Sequence, residues 1–158
     1  MNNLLDNFGT NCFSEKNLKN RVPDYVVKKF LEIKNGKAEL TLEIADIIAN
    51  AIKMWALEKG ATHYTHWFQP LTELTAEKHE SFISINSDGT SMAKFSGKDL
   101  MKGESDTSSF PNGGLRSTFE ARGYTAWDIS SPMFLKGEEG SKTLYIPTAF
   151  IAYNGCLL

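Results

Sequence analysis

Residues 103–128 contain the side chains with the clearest potential for chemistry. Glu104 and Asp106 lie two residues apart and are followed by three hydroxyl residues, a Gly113-Gly114 pair and Arg116. Carboxylates accept hydrogen bonds and favour positive charge, so they can hold an ammonium ion or abstract a proton. Paired glycines let backbone N–H groups approach a ligand, and arginine binds an anion through two parallel hydrogen bonds. The composition indicates a binding or catalytic loop, with a purely structural Ω-loop as an equal alternative.

The same stretch shows neither helical nor strand periodicity. A loop of this length inside a compact domain is uncommon and is usually functional or disordered. Five large apolar side chains are spread through it: Phe110, Leu115, Phe119, Tyr124 and Trp127. Because such side chains favour burial, we expect an ordered loop, and one that forms part of a site completed by something this chain lacks.

Two other patterns are similar to known kinds of site but do not fit them. Of the three histidines, His63 and His66 would point to opposite faces of a strand, so they would not converge on a metal ion with His79. We therefore predict no metal site. The sequence Ser96-Gly97-Lys98 is similar to part of a phosphate-binding loop, but the residues around it do not fit that motif.

The elements that must position the loop begin with two helices. Helical spacing of apolar residues predicts one helix from Pro23 to Lys34 and a second at about residues 40–59. The second helix has its apolar face built from Ile44, Ile48 and Trp55, among others, and Gly60 is a natural terminator. We expect these residues to belong to the core.

The period then changes to that of strands. Strands are predicted in four segments: His63–Phe68, Ser81–Asn86, Ser91–Phe95 and Lys142–Ala152. Asp88-Gly89 is a hairpin turn signal between the second and third of these. Pro147 inside the last strand indicates an edge position or a bulge. Together the elements predict an α+β domain with N-terminal helices followed by a small, mostly antiparallel sheet.

Composition limits the classes of protein. A chain of 158 residues with 41% hydrophobic residues fits one globular domain, and we expect residues 1–20 to be loosely ordered unless docked. A net charge of −2 argues against nucleic acid as the main partner. The sequence shows no membrane span and no signal peptide. We therefore expect a cytoplasmic protein in which Cys12 and Cys156 are reduced thiols.

Several segments resemble the N-terminal region of type III glutamine synthetases. They are Ala61–Pro70 (ATHYTHWFQP), Thr75–Ile83 (TAEKHESFI), Ser105–Asp128 with the core SFPNGGLRSTFEARGYTAWD, and Leu144–Phe150 (LYIPTAF). The helix that ends at Gly60 fits the same family. The resemblance covers roughly residues 20–155 in one order, and its motifs are long and rich in aromatic residues.

The resemblance implies a domain organisation. In that family a small β-grasp-like N-terminal domain is paired with a larger catalytic domain that supplies the metal ligands and the nucleotide site. Residues 21–158 would form the β-grasp-like domain, with residues 1–20 as an extension and the catalytic domain absent. The strands that begin at Thr62 and at Ser81 resemble the first hairpin of that domain.

The resemblance also implies roles for residues in the loop. The sequence from Asp106 to Ser109 is similar to the family's Asp-Gly-Ser-Ser loop, with Thr107 in place of Gly. It implies that Asp106 is catalytic, because the loop aspartate helps to bind and deprotonate ammonium at the active site of a neighbouring subunit. Ser109 matches the final serine of the loop and would support ammonium binding.

Three further residues complete the predicted site. Asp128 resembles a second acidic position near the ammonium site, and we assign Glu104 a similar supporting role. Arg116 is a candidate contact for an anion, with loop-bracing ion pairs as the alternative.

The family reaction implies the substrates and cofactors. It phosphorylates glutamate with ATP, and ammonia then displaces the phosphate to give glutamine, with magnesium or manganese assisting. The enzymes of the family form homo-oligomeric rings. Nothing in this sequence provides a metal cluster, a nucleotide loop or a glutamate clamp, so we predict no cofactor in this chain and no activity of the chain alone. The alternative is a non-catalytic binding or regulatory module that docks on a full-length synthetase or another protein.

Overall fold

The structure is a computed structural model that describes residues 4–68, 76–103 and 123–152. In chain order its elements are α1 (Leu4–Asn7), β1 (Cys12–Phe13), α2 (Glu15–Lys19), α3 (Asp24–Lys34), α4 (Leu42–Glu58), β2 (Ala61–Phe68), β3 (Ala76–Ser81), β4 (Ile83–Ile85), β5 (Ser91–Ala93), α5 (Gly97–Met101), β6 (Lys102–Gly103), β7 (Gly123–Trp127), β8 (Met133–Lys136) and β9 (Lys142–Ala152). None of the described helices combines the length and apolar character needed to span a bilayer.

Helices α3 and α4 confirm the two predicted helices. Thr41 caps α4, with its hydroxyl accepting a hydrogen bond from the N–H of Ile44, which satisfies one of the free donors at a helix start. The apolar face of α4 is buried, and Ile48 and Ile52 are fully so. Burial of each isoleucine contributes about 1.5–3 kcal/mol relative to exposure. This helix therefore forms the centre of the core.

The second half of the N-terminal segment is docked on this core. Phe13 in β1 pairs with Met133 in β8, and its ring meets Trp55 edge to face at 5.2 Å. Helix α2 places Leu18 in the core with only 1% of its surface exposed. The expectation of loose order for undocked residues therefore does not apply to residues 12–20.

The main sheet has the strand order β1-β8-β9-β2-β3, and β7 also pairs with β9. Strands β2 and β9 run parallel at its centre, and the other pairings among the described residues are antiparallel. Helices and a mostly antiparallel sheet confirm the predicted α+β class. A specifically β-grasp-like fold stays a prediction.

The predicted partner of the first hairpin is wrong. Strand β2 pairs with β3 over Ala76–Ser81, for which the sequence predicted no strand, and not with the strand predicted after Ser81. Strands β4 and β5 form a separate two-stranded sheet around the Asp88-Gly89 turn, as that turn signal predicted. Strand β3 was missed because its sequence, AEKHES, is charged and lacks apolar alternation, as is common for edge strands.

The predicted edge position of Pro147 is also wrong. Strand β9 lies inside the sheet, with β2 on one side. On its other side β8 pairs as far as Tyr145 and β7 begins at Thr148. Pro147 lies between the end of the pairing with β8 and the start of the pairing with β7. Its missing N–H therefore removes no antiparallel ladder bond there. Its carbonyl accepts a hydrogen bond from the N–H of Asp128 at 2.9 Å.

Aromatic rings lie side by side across one face of the sheet. Trp67 meets Phe134 edge to face at 6.0 Å, Phe134 stacks on Tyr145 at 5.1 Å, and Tyr145 meets His79 at 6.0 Å. Thr65 lies between Tyr145 and His79 in the strand register and is fully buried. The opposite face, which includes Leu144 and Ile146, packs into the core.

Candidate functional site

The predicted catalytic loop follows strand β6 and precedes strand β7, and these two short strands pair with each other. In β6 and β7, Lys102 is paired with Ala126 and Gly103 with Thr125. The hydroxyl of Thr125 also donates a hydrogen bond to the carbonyl of Gly103 at 2.9 Å. Since β7 pairs with the central strand β9, both ends of the loop are fixed to the sheet.

The side chain of His66 packs against this strand pair at Gly103. Its Nε2 lies 3.2 Å from the carbonyl oxygen of Leu100, which can only accept, so Nε2 must donate. Burial lowers the pKa of His66 below its usual value, although that hydrogen bond and the carboxylates of Glu80 and Asp99 act in the opposite direction. The ring is therefore neutral at pH 7, with the proton on Nε2.

A polar cleft of about 190 Å³ opens beside the strand pair. We call it the basal cleft, and its lining is Tyr64, His66, Lys78, Glu80, Asp99, Lys102 and Gly103. Four elements contribute, because β2, β3, α5 and β6 meet at this point. The cleft holds carboxylates and ammonium groups in a small volume at the foot of the predicted loop.

The hydroxyl of Tyr64 connects the floor of the basal cleft to its rim. It donates a hydrogen bond to Oε2 of Glu80 at 2.9 Å. Burial, followed by this hydrogen bond, raises the pKa of Tyr64, so the phenol stays protonated. The Tyr64 ring also packs on Phe82 and Phe95. Glu80 is thus held by a side chain that belongs to the core.

At the other end of the loop, Asp128 braces a turn. Its Oδ1 accepts hydrogen bonds from the N–H of Ser130 at 3.0 Å and from its hydroxyl at 2.6 Å, and its Oδ2 accepts one from the Ser131 hydroxyl at 2.6 Å. Partial burial acts to raise the pKa of Asp128, but these hydrogen bonds outweigh burial and lower it. Asp128 is an ionised acceptor for its own turn.

The family follows from comparison of the whole sequence. The sequence model of the family described as "Glutamine synthetase type III N terminal" matches residues 4–158. This chain belongs to the type III glutamine synthetase family. The predicted resemblance is confirmed, and the described geometry is that of the family's N-terminal region.

Two relatives of this chain show the similarity in detail. A "Glutamine synthetase" of Bacteroides fragilis (strain YCH46) is 49% identical over 154 residues, covering 98% of this chain and 21% of the relative. A "Type-3 glutamine synthetase" of Dictyostelium discoideum is 48% identical over 153 residues, covering 96% of this chain and 21% of the relative. The chain spans about a fifth of the length of these glutamine synthetases.

Most of the residues predicted from the type III resemblance cannot be placed. Glu104, Asp106, Ser109 and Arg116 lie outside the described residues. Asp128 is described, and its carboxylate is engaged by Ser130 and Ser131 as above. Its role in ammonium binding stays a prediction.

The patterns set aside in the sequence have ordinary structural roles. His63 Nδ1 lies 2.9 Å from the Thr62 hydroxyl, and His79 Nε2 lies 3.4 Å from Glu77. Gly97 begins helix α5, where its N–H donates to the Asp46 carboxylate, so this segment is no phosphate cradle. Among the described residues no group of three His, Cys, Asp or Glu side chains could hold a metal ion.

The basal cleft is the feature that sequence reasoning missed. Tyr64 and His66 share a strand face, as the alternation predicted, and their rings are 6.3 Å apart. Glu80 could have been placed opposite Tyr64 only if β3 had been recognised as a strand. Asp99 caps helix α5 by accepting from the N–H and hydroxyl of Ser96. The spacing of Ser96 and Asp99, which is that of a capping box, was the sequence signal that could have placed Asp99 at the start of a helix.

Proposed function

We propose that this chain is the N-terminal part of a glutamine synthetase that joins ammonia to glutamate at the expense of ATP. The supporting observation is the family match over residues 4–158, together with relatives that are named glutamine synthetases. The part formed by this chain supplies the loop around Asp106 to an active site shared between subunits. Glutamate, ammonium and ATP are the substrates of the full-length protein.

Within that enzyme Asp106 binds ammonium and accepts its proton. A carboxylate stabilises the cation, and removal of the proton produces the nucleophilic ammonia. Ser109, Glu104 and Asp128 support ammonium binding, and Arg116 contacts an anion. The β6–β7 pair supports this assignment because a loop with both ends fixed to a sheet can hold a carboxylate in a defined position.

The nucleotide and the metal ions belong elsewhere in the full-length protein. The described residues do not fit a metal site, since no group of three potential ligands converges among them. Following the family resemblance, we assign the ATP site and the magnesium or manganese site to the larger catalytic region of the full-length protein. The proposed assembly is a homo-oligomeric ring in the cytoplasm.

The test is Asp106→Asn in the full-length enzyme. Loss of a general base reduces turnover by roughly 10²- to 10⁴-fold, and loss of the negative charge raises the KM for ammonium. Glutamine formation is measured over a range of ammonium concentrations, with Asp6→Asn in exposed α1 as the matched control. Sedimentation velocity checks that the oligomer is intact. Unchanged turnover and ammonium dependence in Asp106→Asn would refute the catalytic role.

A further inference from the structure

We propose that the basal cleft binds a small zwitterionic amino acid. This inference concerns binding by the described residues themselves and does not depend on the role of Asp106. It rests on the charges that line the cleft, on its size and on the rigidity of its walls.

The acidic side of the cleft has unused hydrogen-bonding capacity. Glu80 accepts from Tyr64 through Oε2 only, and Asp99 accepts from Ser96 through Oδ2 only. Within the described residues, Glu80 Oε1 and Asp99 Oδ1 have no donor. Both carboxylates line the same cleft. A ligand ammonium group can donate hydrogen bonds to both oxygens.

The two lysines that line the cleft, Lys78 and Lys102, are also available to a ligand. Lys78 lies opposite His66 in the strand register, and Lys102, at the foot of the loop, also lines the cleft. Among residues 4–68, 76–103 and 123–152, neither lysine forms an ion pair with a carboxylate. The Nζ of Lys102 lies 4.1 Å from the centroid of the Tyr124 ring, an attractive arrangement that restrains the side chain. A ligand carboxylate therefore finds two ammonium groups.

Charge of both signs selects the class of ligand. A simple anion would be repelled by Glu80 and Asp99, and a simple cation by Lys78 and Lys102. A ligand that carries an ammonium and a carboxylate a few ångströms apart satisfies both sides. Neutral His66 adds no net charge at pH 7.

The size of the basal cleft and the rigidity of its walls further limit the class of ligand that it can bind. A volume of about 190 Å³ is below the roughly 300–1,000 Å³ typical of sites for drug-sized ligands. It suits a single amino acid rather than a peptide or nucleotide. Tyr64 is 5% exposed and is packed in the core, and Asp99 is fixed by its capping box. Binding therefore orders few flexible groups apart from the lysines.

An NMR titration of the 158-residue chain tests the proposal. The probes are L-glutamine, which carries both charges, glutarate, which lacks the ammonium group, and butylamine, which lacks the carboxylate. We expect saturable shifts at the amides of Tyr64, His66 and Lys102 with millimolar affinity for glutamine. Glutarate and butylamine should bind at least roughly tenfold more weakly, because each leaves one side of the cleft unsatisfied.

Charge-neutralising variants separate the cleft from the general surface. Glu80→Gln keeps an acceptor for Tyr64, and we expect it to weaken glutamine binding at least roughly tenfold, as Lys102→Gln should also do. Glu43→Gln and Lys16→Gln, at exposed positions in α4 and α2, are matched controls that should bind normally. Equal shifts from glutarate and glutamine, or no saturable shift at these amides, would overturn the proposal. Neither result would bear on turnover by Asp106, which is measured separately in the full-length enzyme.

Discussion

The backbone of Gly103 lies directly against the imidazole of His66. A β-carbon built on Gly103 would lie 2.6 Å from both Cβ and Nδ1 of His66, well inside van der Waals contact. The same ring lies 3.2 Å from the Leu100 carbonyl. The strand from which the predicted catalytic loop leaves the sheet therefore rests on a side chain of the central strand β2.

Gly103→Ala should destabilise the chain by about 1–3 kcal/mol, the usual cost of overpacking. The added methyl must displace the His66 ring or separate β6 from β7. Urea unfolding followed by circular dichroism measures this loss. In a His66→Ala background the same change should cost clearly less, since the obstructing ring is gone. An equal cost in both backgrounds would show that His66 is not the obstacle.

The stability of the chain should depend on pH through His66. Its pKa is lower in the folded protein than in the unfolded chain, so the unfolded chain takes up the proton first as the pH falls. The free energy of unfolding should therefore be insensitive to His66 well above pH 6.5 and decrease as the pH falls below about 6.5. Urea unfolding at several pH values measures the slope.

His66→Gln is the matched variant, because the amide nitrogen of glutamine can still donate to Leu100. It should remove most of the slope between pH 7 and 5, whereas exposed His63→Gln should retain it. A slope that is unchanged in His66→Gln would assign the pH dependence to other groups.

Gly97 makes a less forgiving contact, because backbone atoms lie against it. A β-carbon on Gly97 would lie 2.6 Å from the backbone nitrogen of Asp46 and 2.8 Å from the carbonyl carbon of Ala45. Gly97→Ala should therefore move α5 away from α4 and cost about 1–3 kcal/mol or more in urea unfolding. Shortening Asp46 to alanine removes its Oδ1, which would lie 2.8 Å from the added carbon, but should give little rescue because the two backbone atoms stay in place. Full rescue in the double variant would contradict this account.

The sequence predicted the elements whose residue pattern is local. It failed for features that depend on which distant segments pair as strands. Helix α4 was found because Ile44, Ile48, Ile52 and Trp55 recur on one face, and its cap and terminator lie next to it in sequence. The polar strand β3 has no such pattern, and only its pairing with β2 makes it a strand. The central position of Pro147 was hidden for the same reason. It depends on where β8 ends and β7 begins.

The candidate site residues differ in the same way: a contiguous motif could be recognised from the sequence, and a cleft built from distant segments could not. The motif around Asp106 could be recognised because it is contiguous, although it lies outside the described residues. The basal cleft could not, because Tyr64, Glu80, Asp99 and Lys102 come from four separate elements. Each of these residues is unremarkable in its own segment. Only the sheet register and the docking of α5 bring their charges together.

Asp128 gives the last prediction, because the structure assigns it a local role in addition to the predicted one. Its three hydrogen bonds to Ser130 and Ser131 are made by the ionised form, so Asp128→Asn should cost about 1 kcal/mol at pH 7. The folded-state pKa is lowered, so this stability is present above the unfolded-state value and is lost as the pH falls through the folded-state value.

The difference in unfolding free energy between wild type and Asp128→Asn should therefore shrink as the pH is lowered below about 3.8, where the unfolded carboxyl begins to protonate. Ser131→Ala should reproduce part of the loss at pH 7 and add less than its full cost in the Asp128→Asn background. In the full-length enzyme, a raised KM for ammonium in Asp128→Asn together with normal turnover in Ser131→Ala would support ammonium binding by Asp128. Equal effects of the two variants on both constants would assign Asp128 to the turn alone.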